Sequence, residues 1–414
     1  MIDIVIQYDL LILLRACLLL GPLFVMFYLC WKHRYEYRFL VGGIFSFLYS
    51  MGLLLPAHSL AIHFGMWHYG GEALMILGMP ADIWFAGSFL FGPVIFWAFP
   101  KLNPLFFTIL FVGLQAVFFR SLDPFVIAGN NWFLGISLVF IIVHIPALYL
   151  ARWTAYNECL PQRAGLLAFG YGFLAFVVLP TMIMQAMGGE WALLDKPAWQ
   201  YIITTLCLIP CMVIGLNGVH MFVVHGEGTP IPLDNTQHLV KSGIYAYIIN
   251  PMQLCSALSW VIIGIFLKNI YVAMASIMAV VFVLGMVRWH HRHDLEVRFP
   301  EGWLEYKTNV PEWFPRWKPL VKEKALFEWT PSSKFQKNYA YWLQKQSPVG
   351  MKIIEKEGAP ARYVDGNDGK VFFSQTALVY PLFHINFFWA VVASGLLFFL
   401  LPYEWLNVSK SKGS

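Results

Sequence analysis

The feature that most constrains this chain is a succession of about ten long apolar runs, at 9–31, 39–61, 83–100, 105–119, 132–151, 165–186, 201–224, 251–267, 270–289 and 377–402. Most approach the roughly 20 apolar residues that a helix needs to cross the hydrocarbon of a bilayer. With 59% hydrophobic and 12% charged residues in 414, the chain has too little polar surface to clothe a soluble core of that size. In lipid such runs must satisfy their own backbone, which helices do. The expected fold is an all-α polytopic membrane protein with about ten transmembrane helices and a small cytoplasmic α+β segment between the last two.

Lys and Arg set the expected orientation. Lys32, Arg34, Arg38, Lys101, Arg152, Arg163 and Lys241 fall in alternate connections, as does the basic segment from Arg288 to Lys370. That side is read as cytoplasmic, with residues 290–376 there and both termini outside. The first run follows Asp3 without a basic leader and is long enough to span, so Met1 is expected to be the mature start. The net charge of +5 is distributed beside the membrane, so nucleic acid is not an expected partner. The six cysteines form no readable disulfide or zinc framework.

Four regions follow: an N-terminal bundle (1–200), a motif-bearing block (201–320), a polar segment (321–376) and a last helix with its tail (377–414). The bundle holds few ionisable groups: Arg15, Asp82, His144 and the loop histidines His58, His63 and His68. Arg15 can pair with a carboxylate, His144 stands before Pro146, and the loop histidines lack metal-ligand spacing, so structural roles are expected for the set. Trp67-His68-Tyr69 with Pro80-Ala81-Asp82 faintly resembles the membrane lycopene cyclases, one acid standing where that signature has two.

In the polar segment, a helix is expected over 334–346, a strand at Met351–Glu355, and a hairpin turn at Asp365-Gly366-Asn367-Asp368-Gly369. This order, around residues 329–390, resembles the end of a thioredoxin-like or thiol-oxidoreductase-like domain. Ser332 and Phe335 stand where its cysteines would be, which removes thiolate chemistry and leaves a docking or structural role.

The motif-bearing block supplies the chemistry. Gly226-Glu227-Gly228-Thr229-Pro230 forms a tight turn after an apolar run, and Leu239-Val240-Lys241-Ser242-Gly243-Ile244-Tyr245 leads to Asn250-Pro251-Met252-Gln253. Pro251 suits the first turn of a helix and Asn250 its cap, and such a helix start can hold a carboxylate. Leu295, Phe299, Trp303, Tyr306, Val310-Pro311, Trp313 and Pro315-Arg316 then follow at fixed spacing. These aromatic positions also suit an interfacial helix.

Together these elements, over about residues 221–319, resemble the isoprenylcysteine carboxyl methyltransferase type of membrane methyltransferase. The resemblance implies S-adenosylmethionine as cofactor, held at the cytoplasmic membrane face without a Rossmann domain, and a lipid or prenyl-like substrate entering from the bilayer. By position it implies cofactor contacts from His238, Leu239, Tyr245, Asn250, Pro251 and Met252, with Trp303 and Tyr306 closing the pocket. Arg288 takes the place of an arginine that orients an acidic substrate group. The sequence departs from the pattern at Ile249, Gln253 and Pro300, and His291-Arg292 replaces an acidic pair; only Asp294 and Glu296 stand near enough to compensate Arg292.

Three other readings are kept open. A sterol-reductase-like enzyme using NADPH shares the span count and the terminal aromatic spacing, but its Arg-His before the next helix is missing. A protein derived from the methyltransferase family that has lost the cofactor could bind lipid or serve in assembly, while a transporter would show paired repeats. His290 and His293 lie one helical turn apart without further ligands, so no metal is expected there.

Overall fold

The computed structural model describes residues 2–411 except 71, 72, 124 and 359. The chain divides into two compact units, Met1–Glu190 and Trp191–Ser414. Among the described residues, seven helices are long and apolar enough to cross a membrane. Three shorter apolar helices, Pro104–Phe118, Pro251–Leu267 and Phe387–Leu400, fall on three further runs of the sequence.

The first unit contains α1 (Ile2–His33), α2 (Tyr37–His63), α3 (Ala81–Ala98), α4 (Pro104–Phe118), α5 (Trp132–Ala155) and α6 (Leu160–Met187). Small residues let α2 run through its centre. A Cβ on Gly42 would stand 2.5 Å from the Ala151 carbonyl oxygen of α5, and one on Gly52 would stand 2.4 Å from the Gly170 oxygen of α6. Backbones therefore meet directly, the usual way helices pack in lipid, where apolar burial supplies no drive between them.

Helices α5 and α6 each contain one widened π-turn, Phe140–His144 and Leu174–Val178. Pro146 and Pro180 explain both. Each ring lacks an N–H and clashes with the carbonyl four residues before it, inside the widened turn.

The part-buried charges Arg15 and Asp82 are paired with each other. Arg15 Nη1 reaches both carboxylate oxygens of Asp82 at 3.1 and 3.0 Å, Nη2 donates to the Gly70 oxygen at 2.9 Å, and the guanidinium lies over the Phe125 ring. The structural pairing expected for Arg15 is thus met. Strand β1 (Trp67–Tyr69) pairs antiparallel with a later strand at Val126–Ala128, and Tyr69 Oη lies 2.5 Å from His58 Nδ1.

The second unit opens with α7 (Ala198–Val224), α8 (Pro251–Leu267), α9 (Ile270–Arg298) and α10 (Pro300–Asn309). A four-stranded sheet follows, its strands Ala325–Trp329, Met351–Glu355, Arg362–Val364 and Val371–Phe373 ordered second, first, third, fourth. The first pair is parallel, bridged by α11 (Lys334–Lys345), and the others are antiparallel. The expected helix, strand and hairpin turn are all present, and the parallel pair shows that Ala325–Trp329 is a strand that the sequence pattern did not single out.

The segments 201–320, 321–376 and 377–414, distinct in composition, share one core. Met221, Ile244, Tyr245 and Tyr247 pack with Phe327, Leu343 and Tyr363 of the sheet and its helix, with Tyr380, and with Leu397 of the last helix (Phe387–Ser411). The polar segment is built onto the ends of the apolar helices.

Candidate functional site

The aromatic spacing read in the sequence becomes a packing pattern. Trp303, Tyr306 and Val310 bury themselves with Ile249, and Leu239, Leu295 and Phe299 pack around them. The chain after α10 then runs alongside residues 246–249. Ile249 N–H donates to the Pro311 oxygen, Arg316 N–H to the Tyr247 oxygen and Leu320 N–H to the Ala246 oxygen, at 3.0, 3.0 and 2.8 Å. Leu295, Phe299, Trp303, Tyr306 and Val310 thus fill one cluster, while Pro311 and Arg316 fix the segment that carries Tyr245 and leads to Asn250.

Tyr245 stands in a short turn, Gly243–Ala246, whose first residue has φ +64° and lies so close over Met221 that a Cβ would stand 2.4 Å from its Sδ. Glycine is required there on both counts. Tyr306 Oη donates to the Tyr245 oxygen at 2.8 Å, and the Tyr245 ring meets Phe222 of α7 edge-on. Burial, reinforced by Tyr306 and Cys255, pushes the Tyr245 hydroxyl well above its ordinary range, and burial does the same for Tyr306. Both are neutral hydrogen-bonding groups at physiological pH and supply no base.

Pro251 opens α8 at its first turn, as its missing N–H favours. Asn250 precedes it at 3% exposure, but its side chain makes no capping bond, which corrects the expectation of a side-chain cap. Its backbone, at φ −114° and ψ 58°, lies outside the extended geometry of a capping residue. Asn250 Nδ2 and Tyr245 Oη have no hydrogen-bond partner although buried. Trp303 Nε1 is directed at Glu296 without closing a hydrogen bond. Such groups are costly to leave unmet in an apolar core.

Seven of the nine site residues read from the sequence are brought together: Leu239, Tyr245, Asn250, Pro251, Met252, Trp303 and Tyr306. Met252 packs over Gly218 of α7, beside the Tyr245 hydroxyl. His238 is exposed and outside the cluster. Arg288 is half-exposed and its Nη2 is bonded to Glu312 at 2.9 Å, so its charge is already matched within the chain.

The carboxylates expected to compensate Arg292 are engaged elsewhere. Asp294 is held by Nε and Nη2 of Arg298 and by Asn235, and Glu296 pairs with Lys307. Arg292 is exposed, whereas His291 lies against Trp303 with ring centroids 4.5 Å apart.

Sequence reading missed Asn217, on α7 one residue before Gly218. It is 3% exposed with both amide atoms unpartnered. An asparagine inside an apolar run was the available signal. It also missed the meeting of His225, Asp365 and Asp368, whose ligand atoms lie within 4.8 Å of one another. Protein donors already occupy these carboxylates: Ser242 Oγ and Asn367 N–H bond Asp365, and His225 and Lys370 N–H bond Asp368. The chain matches no family model, and neither a curated protein nor a solved structure is significantly similar to it.

Proposed function

We propose that the second unit binds S-adenosylmethionine at the cluster around Tyr245, Asn250 and Trp303 and directs its methyl group to a lipid or prenyl-like acceptor. The observation that carries this reading is the convergence of residues distant in sequence on one buried helix start, where Asn250 Nδ2 and Tyr245 Oη lack hydrogen-bond partners. The first-turn N–H groups of α8 and Asn250 Nδ2 would hold the cofactor's carboxylate. The faces of Trp303 and Tyr306 would receive its cationic end. The cofactor supplies a methyl group already activated on a sulfonium. The chain's part is to align that methyl with the acceptor and exclude water, for which Leu239, Ile249 and Val310 provide an apolar wall.

The proposal extends to topology. In it the three shorter apolar helices would also cross, giving ten spans, and the Lys and Arg distribution supports residues 290–376 on the cytoplasmic side with both termini opposite.

A second reading, a lipid-binding or assembly protein without the cofactor, is favoured by the Arg288–Glu312 pair and by Ile249 filling the cluster. Calorimetric titration of the protein in nanodiscs with S-adenosylmethionine and S-adenosylhomocysteine separates the two. Micromolar binding that Asn250→Ala and Tyr245→Phe each weaken by about tenfold is the expected result. Absence of binding by folded wild-type protein would leave the second reading, and binding of NADPH instead would favour a reductase.

A further inference from the structure

The turn after Arg362–Val364 closes on the loop that feeds the cluster. Asp365, 5% exposed, accepts through Oδ1 from Ser242 Oγ at 3.0 Å and from Asn367 N–H at 2.8 Å, while Asn367 Nδ2 donates to the same Ser242 oxygen at 2.9 Å. Asp368 meets His225 Nδ1 at 2.8 Å, and Lys370 Nζ donates to the Val224 oxygen that ends α7 and to Glu227 at 3.2 Å. One turn therefore grips the loop at both ends, at 224–227 and at Ser242.

We infer that Asp365 is a positioning residue of the proposed cofactor site, acting through Ser242 to fix the turn Gly243–Ala246 that sets Tyr245 against Tyr306. The role rests on the cofactor reading above. Ser242 is the last residue before that turn, and its own carbonyl accepts the Tyr245 N–H at 3.3 Å. Tyr306 secures the turn from one side, and the Asp365–Ser242 bond secures it from the other. A hydrogen bond to a carboxylate is roughly twice as strong as one between neutral groups, so the Asp365 contact is the stronger of the two anchors.

The bracket has rigid support behind it. The Val349 oxygen accepts a hydrogen bond from His384 Nδ1–H at 2.8 Å, which leaves Nε2 to accept from Tyr363 Oη at 2.8 Å. Burial keeps the His384 imidazole below its ordinary range and neutral, as that arrangement needs. The cysteine-free sheet thus acts as a bracket for the membrane-side turn, which gives it a purpose independent of redox chemistry.

The test uses the full chain in nanodiscs, with hydrogen exchange read over 242–249 and S-adenosylmethionine titrated in parallel. Asp365→Leu and Ser242→Ala should each accelerate exchange at 242–249, leave α8 and the last helix protected, and weaken cofactor binding by about tenfold. Asp365→Asn, whose amide oxygen still accepts from Ser242, should restore protection and bind within about threefold of wild type. Ser242→Ala removes one oxygen and keeps the test informative where Asp365→Leu fails to fold. Unchanged exchange at 242–249 in Ser242→Ala, or exchange raised uniformly through the unit, overturns the inference. If wild-type protein binds no S-adenosylmethionine, the cofactor reading falls, while the exchange arm still decides whether Asp365 fixes the turn.

Discussion

Helices α2 and α9 are both long and apolar, yet they occupy opposite situations. In the most apolar stretch of α2, 61% of residues are buried within the protein, against 22% for α9, although α9 is the more hydrophobic of the two. Gly42 and Gly52 bring neighbouring backbones against α2, whereas a Cβ on Gly285 of α9 would meet nothing within 4 Å. Hydrophobicity puts a helix in the bilayer without deciding what it touches there. Small residues that allow close approach make that choice, because lipid competes equally well for large apolar side chains. Helix α1 shows a third situation: only 6% of its apolar stretch is buried, yet Arg15 ties it to Asp82 of α3.

Four tests would break or sharpen this contrast. The largest effect is expected at the buried ion pair. Arg15→Met, which strands the Asp82 carboxylate, should destabilise the first unit by about 3–5 kcal/mol, and adding Asp82→Leu should recover most of that loss. Reversible unfolding in mixed micelles measures both; an additive double mutant would show that the pair does not pin α1. Next, Gly52→Leu forces α2 away from α6 and should cost about 3 kcal/mol by the same assay.

A smaller effect belongs to Asp368 in the second unit. Burial alone would raise its carboxyl, but the His225 hydrogen bond and Lys370 outweigh that and hold it below its ordinary 3.8. A folded value below the unfolded one contributes stability that is present above about pH 4 and is lost as the pH falls through the folded value. Asp368→Asn should therefore flatten the acid limb of a melting-temperature profile while leaving its shape above pH 5 unchanged; an identical acid limb would remove the pair from the account. The smallest effect is expected at Gly285→Leu, within about 0.5 kcal/mol of wild type, since the new side chain enters open space. A loss as large as that of Gly52→Leu would end the distinction between the two helices.

Much of the candidate site was legible because its signals are local. Gly243 and Pro251 state their backbone conformations in their own chemistry, and the spacing of Leu295, Phe299, Trp303, Tyr306 and Val310 is that of residues gathered into one cluster. Asn250 was located correctly but its cap was not, because a side chain's choice of partner depends on groups that the local sequence does not contain. Arg288 and His238 were read by position alone. Glu312 neutralises the first and exposure removes the second from the cluster, and neither circumstance has a local signature.

By itself the sequence determined that the chain is apolar enough to enter a membrane, roughly where its apolar helices lie, and where a hairpin turn interrupts the polar segment; it did not fix their ends, since the run 377–402 contains a break before the helix that starts at Phe387. Those outcomes follow from residue-level free energies, the cost of burying charge and the stereochemistry of glycine and proline, which act within a few neighbours. Only the tertiary structure decided that Asp365 meets Ser242 across 123 positions and His225 meets Asp368 across 143. It also decided that Arg15 is matched by Asp82 and that the cysteine-free sheet shares the core of the helices on which it stands. Such contacts depend on the packing of whole elements, where many weak terms add before any one pair of side chains is brought within hydrogen-bonding distance.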